Sequence, residues 1–488
     1  MLNPRGAPPQ HRTGRVPRAC VFAAAWYLAC ASGLLYAGAP AASAAASRRF
    51  PAANSPAVET ACASHPAAYA GDLLGGICGL RPRLARDGVQ LGLYETSEVL
   101  GNLTGGTRRG FAYDGLTTLD LSMNTQRLLG WRGGTFNVSA LQIHGSNLSA
   151  TNLQTLQTAS GIEAPRGTRL WELWYDQTFG AHGQDDLKLG QQSLDQEFMV
   201  SQNALLFVNT MFGWPMLPSA DMPGGGPAYP LSAPGLRLRL RPRRGVALLA
   251  GVFNGTPLNN SGRNSSGLDF PVNGGALLIA ELQYASSRAT AGSPPLRGEY
   301  KLGLWYDTRN FADQELASNG VSLASPASSG TALQHRGDWA WYGVADQMLW
   351  RDPRDAAHAV SVFARLMGTP WKNRNLIDFA LNAGLTLREP FAGRVADTFG
   401  IGLGYTHVSA RVAALDRDLA RLTGAYVPAQ DGETFIELTY AYQAARWLQL
   451  QPDVQYVSNP GGGLADPAAP GTRIGNEWVA GLRANVYF

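Results

Sequence analysis

From residue 89 to the C-terminus, apolar and polar residues alternate far more often than they recur at helical spacing. In the run Gly235-Leu-Arg-Leu-Arg-Leu-Arg241, Leu236, Leu238 and Leu240 point one way, and Arg237, Arg239 and Arg241 the other. After Gly115, Leu119, Leu121 and Met123 oppose Asp120, Ser122 and Asn124; in 376–388, Ile377, Phe379, Leu381, Ala383, Leu385 and Leu387 form one face. The C-terminus alternates most regularly: Trp478, Ala480, Leu482, Ala484, Val486 and Phe488 against Val479, Gly481, Arg483, Asn485 and Tyr487. A period of two predicts strands with one apolar and one polar face. About sixteen such segments can be placed, each roughly 9–11 residues long, the length of a tilted membrane strand. They centre near residues 93, 120, 139, 174, 189, 238, 249, 281, 303, 344, 362, 382, 402, 439, 451 and 482.

Aromatic residues gather at segment ends: Trp171, Trp174 and Tyr175; Trp305 and Tyr306; Trp339, Trp341, Tyr342 and Trp350. Such residues suit the interfacial girdles of a barrel. The connections are uneven. Residues 211–234 hold six prolines and four glycines in 24 residues. A loop of that length and irregularity is functional or unstructured, and in a barrel it can fold into the lumen. The stretches 256–270, 317–337 and 461–471 read as further loops.

Composition narrows the class. Charged residues are 16% of the 488, against about 25% in soluble proteins, yet mean hydropathy is only −0.13. A soluble multi-sheet protein of this size carries more charge, and a helical membrane protein is more apolar. A barrel with lipid-facing and lumen-facing residues in alternation satisfies both numbers. The expected fold is therefore all-β: a transmembrane antiparallel barrel over residues 89–488, closed by a strand ending in Phe488.

The N-terminus reads as an export signal. Arg5, Arg12, Arg15 and Arg18 precede an uncharged stretch from Val21 to Ser47, with small residues in A-x-A order at 42–46. A signal peptide over 1–46 is expected. It competes with a membrane anchor, which the Ala/Ser-rich second half disfavours. Residues 47–88 form a periplasmic leader. The formal charge of +4 comes from the signal, since +4 − 4 leaves 0 for the remainder. A neutral chain gives no electrostatic case for nucleic acid. Cys62 and Cys78 are the one cysteine pair after the signal, and an oxidising compartment favours a bridge between them. Two cysteines without a nearby ligand cluster make no metal site, and no cofactor is expected.

Three blocks resemble the carbohydrate-selective porin (OprB) family of the bacterial outer membrane. The first is Leu74-Gly-Gly-Ile-Cys-Gly-Leu-Arg-Pro-Arg-Leu84 with Asp87-Gly-Val89. The second runs from Gly190 and Asp195-Gln-Glu-Phe198 through Phe207-Val-Asn-Thr-Met-Phe-Gly-Trp-Pro215 to Tyr229-Pro230. The third is Gln451-Pro-Asp-Val-Gln-Tyr-Val-Ser-Asn-Pro-Gly461, then Gly481-Leu-Arg483 and Phe488. The third is the most specific. The resemblance implies a sixteen-stranded barrel, alone or in a loose homo-oligomer, that passes mono- or oligosaccharides by facilitated diffusion. Its implied partners are those solutes, outer-membrane lipid and the barrel-assembly machinery.

A sugar channel needs aromatic faces for pyranose C–H surfaces and polar groups for hydroxyls, with binding weak enough for release. By alternation, Arg237, Arg239 and Arg241 form an inward basic ladder, and Arg365 faces inward with Ser361 and Phe363. Arg237, Arg239, Arg365 and Trp305 are the candidate solute contacts, weighed against the plainer reading of wall lining. Phe488 is the candidate assembly residue. The chain has no H-E-x-x-H helix, phosphate loop or nucleophile elbow, so no enzyme activity is expected. Two alternatives stay open: a general or anion-preferring porin, and a barrel that anchors an enzyme or adhesin.

Overall fold

The computed structural model describes residues 71–259, 262–290 and 293–488. The expected signal peptide and Cys62 lie outside the described residues. Sixteen strands are present among the described residues: β1 (Val89–Thr104), β2 (Gly110–Asn124), β3 (Gly134–Gly145), β4 (Gly167–Phe179), β5 (Asp185–Gln192), β6 (Ala233–Arg243), β7 (Val246–Asn254), β8 (Ala276–Thr290), β9 (Ser293–Ala317), β10 (Ala332–Arg351), β11 (Ala359–Gly368), β12 (Ile377–Arg388), β13 (Thr398–Val408), β14 (Gly432–Ala445), β15 (Leu448–Ser458) and β16 (Glu477–Tyr487). Each of the sixteen expected centres falls in a different strand. Each strand pairs antiparallel with its sequence neighbours, and β1 pairs with β16 from Tyr94↔Tyr487 to Thr104↔Trp478, closing the barrel. Closure leaves no unpaired edge in lipid, where an unsatisfied backbone group is costly.

The alternation sets the wall. On β6, Leu236 is exposed and Arg237 buried; on β16, Leu482 is exposed and Arg483 buried. A bulge between Ile377 and Phe379 breaks the face expected for β12, so Ile377 turns into the core. Several strands exceed the expected length: β9 has 25 residues and β10 has 20. The aromatic girdles need a second correction. Trp341 and Trp350 do face outward, but Trp171, Trp305 and Tyr342 are buried. Neighbouring aromatic residues on one strand cannot share a face, because alternate side chains leave opposite sides of the sheet.

The long connections 146–166, 193–232, 255–275, 318–331, 409–431 and 459–476 all leave one rim, and the chain termini of the barrel lie at the other. Long loops on one end and short turns on the other are the outer-membrane pattern, with the short turns periplasmic. Helix α1 (Leu80–Arg86) belongs to the periplasmic end, where the Leu73 N–H bonds the Tyr487 carbonyl at 2.8 Å. Cys78 is exposed on the turn before α1 and has no disulfide partner among the described residues, Cys62 lying outside them. Helix α2 (Thr125–Leu129) fills the β2–β3 turn, α3 (Met216–Asp221) lies inside the 193–232 connection, and α4 (Ala410–Thr423) spans the outer loop between β13 and β14.

The core sits inside the barrel. Phe207, Met211, Phe212, Trp214 and Met216 of the 193–232 connection pack on Phe253, Ile279, Trp305, Tyr342, Phe363 and Phe435 from the inner wall. Phe207 and Phe212 are 4.4 Å apart, and Phe212 meets Phe435 edge-on at 5.3 Å. Strand β13 makes room for them. Its inner face is Gly400, Gly402 and Gly404, and a Cβ on Gly402 would stand 2.5 Å from the Phe212 ring.

Candidate functional site

The 193–232 connection is a strap across the lumen, and its backbone is held by charged side chains of the wall. From β8, Glu281 accepts the Met199 N–H at 2.8 Å. From β9, Lys301 donates to the Val200 carbonyl at 2.6 Å. Asp346 of β10 takes the Ser201 hydroxyl at 2.8 Å and the Asn203 N–H at 3.1 Å. Arg365 of β11 donates to the Met199 and Gly213 carbonyls, each at 2.9 Å, and to Met211. Glu437 of β14 accepts the Val208 and Asn209 N–H groups at 2.6 and 2.9 Å. A loop without regular structure must find partners for its buried backbone groups, and here the wall supplies them.

The 146–166 connection folds inward as well and braces the strap. The Gly161 N–H bonds Val208 O at 2.8 Å, and the Tyr229 hydroxyl bonds Ile162 O at 3.1 Å. Glu433 gathers the N–H groups of Leu156, Gln157 and Gly461 at 2.7–2.8 Å. Burial pushes the Glu163 carboxyl of this segment up to about 7. Asp221, at the end of α3, is pushed well above the usual carboxylate range by burial and by Asp338.

At the edge of the strap lies a ring of charges on β4, β5 and β6, completed by Glu197 of the strap itself. Arg237 faces Asp186 and, at 3.1 Å, Glu197; Arg239 meets Glu197 at 2.8 Å; Arg241 lies 3.4 Å from Asp186. Lys188 pairs with Glu197 and lies 4.2 Å above the Trp174 ring. Asp176 is 3.8 Å from Arg237, and Asp185 accepts the Arg241 N–H at 2.7 Å. Four cations thus face four carboxylates. Burial alone would raise Glu197, but Lys188 and Arg239 outweigh it and hold its carboxyl below the usual range. Below the ring, a periplasmic cavity of about 600 Å³ is lined by His182, Arg241, Arg243, Arg244, Gln283 and Glu299, among others.

The four expected solute contacts all point inward, but they separate. Arg237 and Arg365 are sealed at 1% exposure, the first in ion pairs and the second against strap carbonyls. Trp305 is sealed at 1% under the strap. The Arg239 side chain keeps 20% exposure and Asp176 keeps 21%. The acids that hold the inward loops, Glu281, Asp346 and Glu437 on the strap and Glu433 on the 146–166 connection, were not singled out as a set. Their signal was partial: each is an acidic residue within an expected strand segment, without a basic neighbour two positions away, but Asp346 shares its face with Val344 and Met348, and Glu433 and Glu437 share theirs with Phe435. The acids of the ring were legible too, because Asp186 and Lys188 alternate with Leu187 and Leu189 opposite the arginine run.

A closed sixteen-stranded barrel with aromatic rims, an apolar outer band and a loop folded across its lumen defines an outer-membrane porin. The family model for the carbohydrate-selective porin, OprB family, matches residues 108–488. The chain belongs to that family, and its place is the bacterial outer membrane. It is similar to Porin B of Pseudomonas aeruginosa, at 27% identity over 442 residues, covering 85% of this chain and 91% of the relative. It is similar to the putative porin QuiX of Acinetobacter baylyi, at 24% identity, covering 85% and 93%. Among solved structures it resembles the high-pH structure of Pseudomonas putida OprB, with a TM-score of 0.76 and 25% identity, covering 86% of this chain and all of that one.

Proposed function

We propose that this porin passes neutral, polyhydroxylated solutes, mono- or oligosaccharides, along the charge ring of β4–β6. The observation that carries the reading is the pairing within the ring. Arg237, Arg239, Arg241 and Lys188 are matched by Asp176, Asp185, Asp186 and Glu197. Such a wall offers dense donors and acceptors with little net field. Hydroxyl groups can exchange hydrogen bonds with it in turn, while an ion of either sign gains little. Trp174, under Lys188, supplies an aromatic face beside it. Arg239 and Asp176 are the proposed contacts, because their side chains remain reachable.

Liposome swelling with sugars of graded size, beside single-channel conductance, tests this. Swelling should exceed that of size-matched zwitterions, and sugars should block the ion current. Arg239→Gln should weaken the block while leaving barrel yield unchanged. Swelling that follows size alone, with no block by any sugar, would refute the reading. A second reading, anion preference, is favoured by Arg241, Arg243 and Arg244 around the periplasmic cavity. A reversal potential set by the anion, together with absent sugar block, would select it.

A further inference from the structure

Where α3 of the strap meets the wall, the structure gathers carboxylates that no ion pair answers. Asp221 closes α3, and its Oδ1 accepts the N–H groups of Leu376 and Ile377 at 2.8 and 3.2 Å. One residue earlier, the Asn375 amide donates to Asp338 Oδ1 of β10 and to the Trp371 carbonyl, each at 2.9 Å. Asn375 thus joins two acids: its side chain holds one, and the backbone just after it holds the other. Asp338 stands directly across from Asp307 of β9, and like charges so placed repel. Of all charged groups, Asp338 acts most strongly on Asp221.

All four side chains are inside. Asp338 and Asn375 are 0% exposed, Asp307 1% and Asp221 8%. Each keeps one oxygen to which the protein brings no donor: Asp221 Oδ2, Asp307 Oδ2, Asp338 Oδ2 and Asn375 Oδ1. Turning the Asn375 amide does not help, because an oxygen in place of its nitrogen would face a carboxylate and a carbonyl, both acceptors. The cations of the same segment are engaged elsewhere. Arg374 donates to the Gly337 carbonyl at 2.7 Å and lies 4.4 Å from the Trp371 ring, and Lys372 pairs with Asp378 at 3.1 Å. Buried charges are paired or coordinate a metal, and among the described residues no ion pair reaches Asp221, Asp307 or Asp338.

We propose that Asp221, Asp338 and the Asn375 amide oxygen bind a calcium ion that fastens the strap to the wall at the outer end of the barrel, with Asp307 adding its charge from β9. The donors are all oxygen, which suits a hard cation. Two carboxylates match a divalent charge. Mg²⁺ demands near-ideal octahedral geometry and gives up its water reluctantly, whereas Ca²⁺ accepts an irregular set of carboxylate, amide and water oxygens. The donors come from α3, β10 and the 369–376 connection, which are far apart in the chain. They converge only when the strap is docked, so binding the ion and docking the strap are linked equilibria.

The test uses the purified full chain, freed of lipopolysaccharide and stripped with EDTA, near neutral pH. Calorimetry with Ca²⁺ should show one ion bound per chain. Tb³⁺ in its place should luminesce on tryptophan excitation, since Trp339 and Trp371 adjoin Asp338 and Asn375. Amide exchange of 216–222 and 369–377 should slow roughly tenfold when Ca²⁺ stands at about ten times its dissociation constant. Asp221→Asn with Asp338→Asn should abolish binding and the effect on exchange, with heat-modifiable barrel retained, whereas Asp418→Asn on α4 should change neither. Absence of both heat and luminescence at millimolar Ca²⁺ and Tb³⁺, or undiminished binding by the double variant, would overturn the proposal. If the double variant fails to fold, exchange of the wild type decides: protection by Ca²⁺ at both segments supports the site, and protection that is absent or confined to other loops overturns it.

Discussion

Replacing Arg365 with Met separates the two roles open to an inward arginine. If the guanidinium touched solute, the change would alter sugar block and leave the strap in place. The structure instead has Arg365 donating to three strap carbonyls, at Met199, Met211 and Gly213, with Asn382 as its wall partner. Met fills much of the same volume, but the carbonyls lose a charged donor in a site with 1% exposure. An unsatisfied buried polar group costs about 1–3 kcal/mol, so three give on the order of 3–9 kcal/mol before water enters. Even ~3 kcal/mol raises the undocked population of the strap roughly a hundredfold. The barrel wall keeps every strand-to-strand hydrogen bond, so folded yield and heat-modifiability should hold. Amide hydrogen exchange of residues 199–222 should accelerate by about two decades, since exchange reads local opening. Mean single-channel conductance should rise with it. Unchanged protection and conductance, together with altered sugar block, would show that Arg365 is a contact and not a brace.

Gly402→Val should push the strap off β13, because the new side chain would collide with the Phe207 and Phe212 rings; overpacking of this kind costs about 1–3 kcal/mol. Faster exchange at 206–212 is expected, whereas Ile401→Val on the outward side of the same strand should leave it unchanged. Glu163 gives the inner loop a pH dependence. Its folded carboxyl is raised to about 7 from 4.5, so the stabilisation it contributes is full below 4.5 and fades as pH rises through about 7. Exchange across 148–163, corrected for intrinsic rate, should therefore speed between pH 5 and 8 in the wild type but not in Glu163→Gln. Deleting Phe488, whose N–H bonds Leu93 O at 3.1 Å where β16 meets β1, should lower the amount of folded barrel; normal yield would contradict a closing role. Cys62 and Cys78 should be bridged in protein purified from cells without reductant, and mass spectrometry finding two free thiols would reject the bridge.

The wall was legible because lipid and lumen enforce opposite chemistry on successive residues of every strand. That is why Leu236-Arg237-Leu238-Arg239 announced its orientation without any alignment. The strap was half legible. Its prolines and glycines excluded a strand, but nothing in 211–234 says which direction a loop folds. Its true extent, 193–232, depends on Glu281, Asp346, Arg365 and Glu437, which lie on strands far along the chain. Alternation places such a residue inside but cannot say whether it meets water, solute or another segment. Arg365 and Arg239 look alike by that rule. They differ only because Met211 and Gly213 bring carbonyls to Arg365, while Arg239 meets Glu197 at the edge of the strap. The Gly400-Ile-Gly-Leu-Gly404 run is the sequence feature that could have told them apart. Three glycines on the inner face of one strand are wasteful in a solvated wall, where any polar side chain would serve. They make sense only if something bulky lies against them: the Leu206, Phe207 and Phe212 side chains of the strap lie against Gly400 and Gly402, and the Phe435 ring of β14 lies against Gly404.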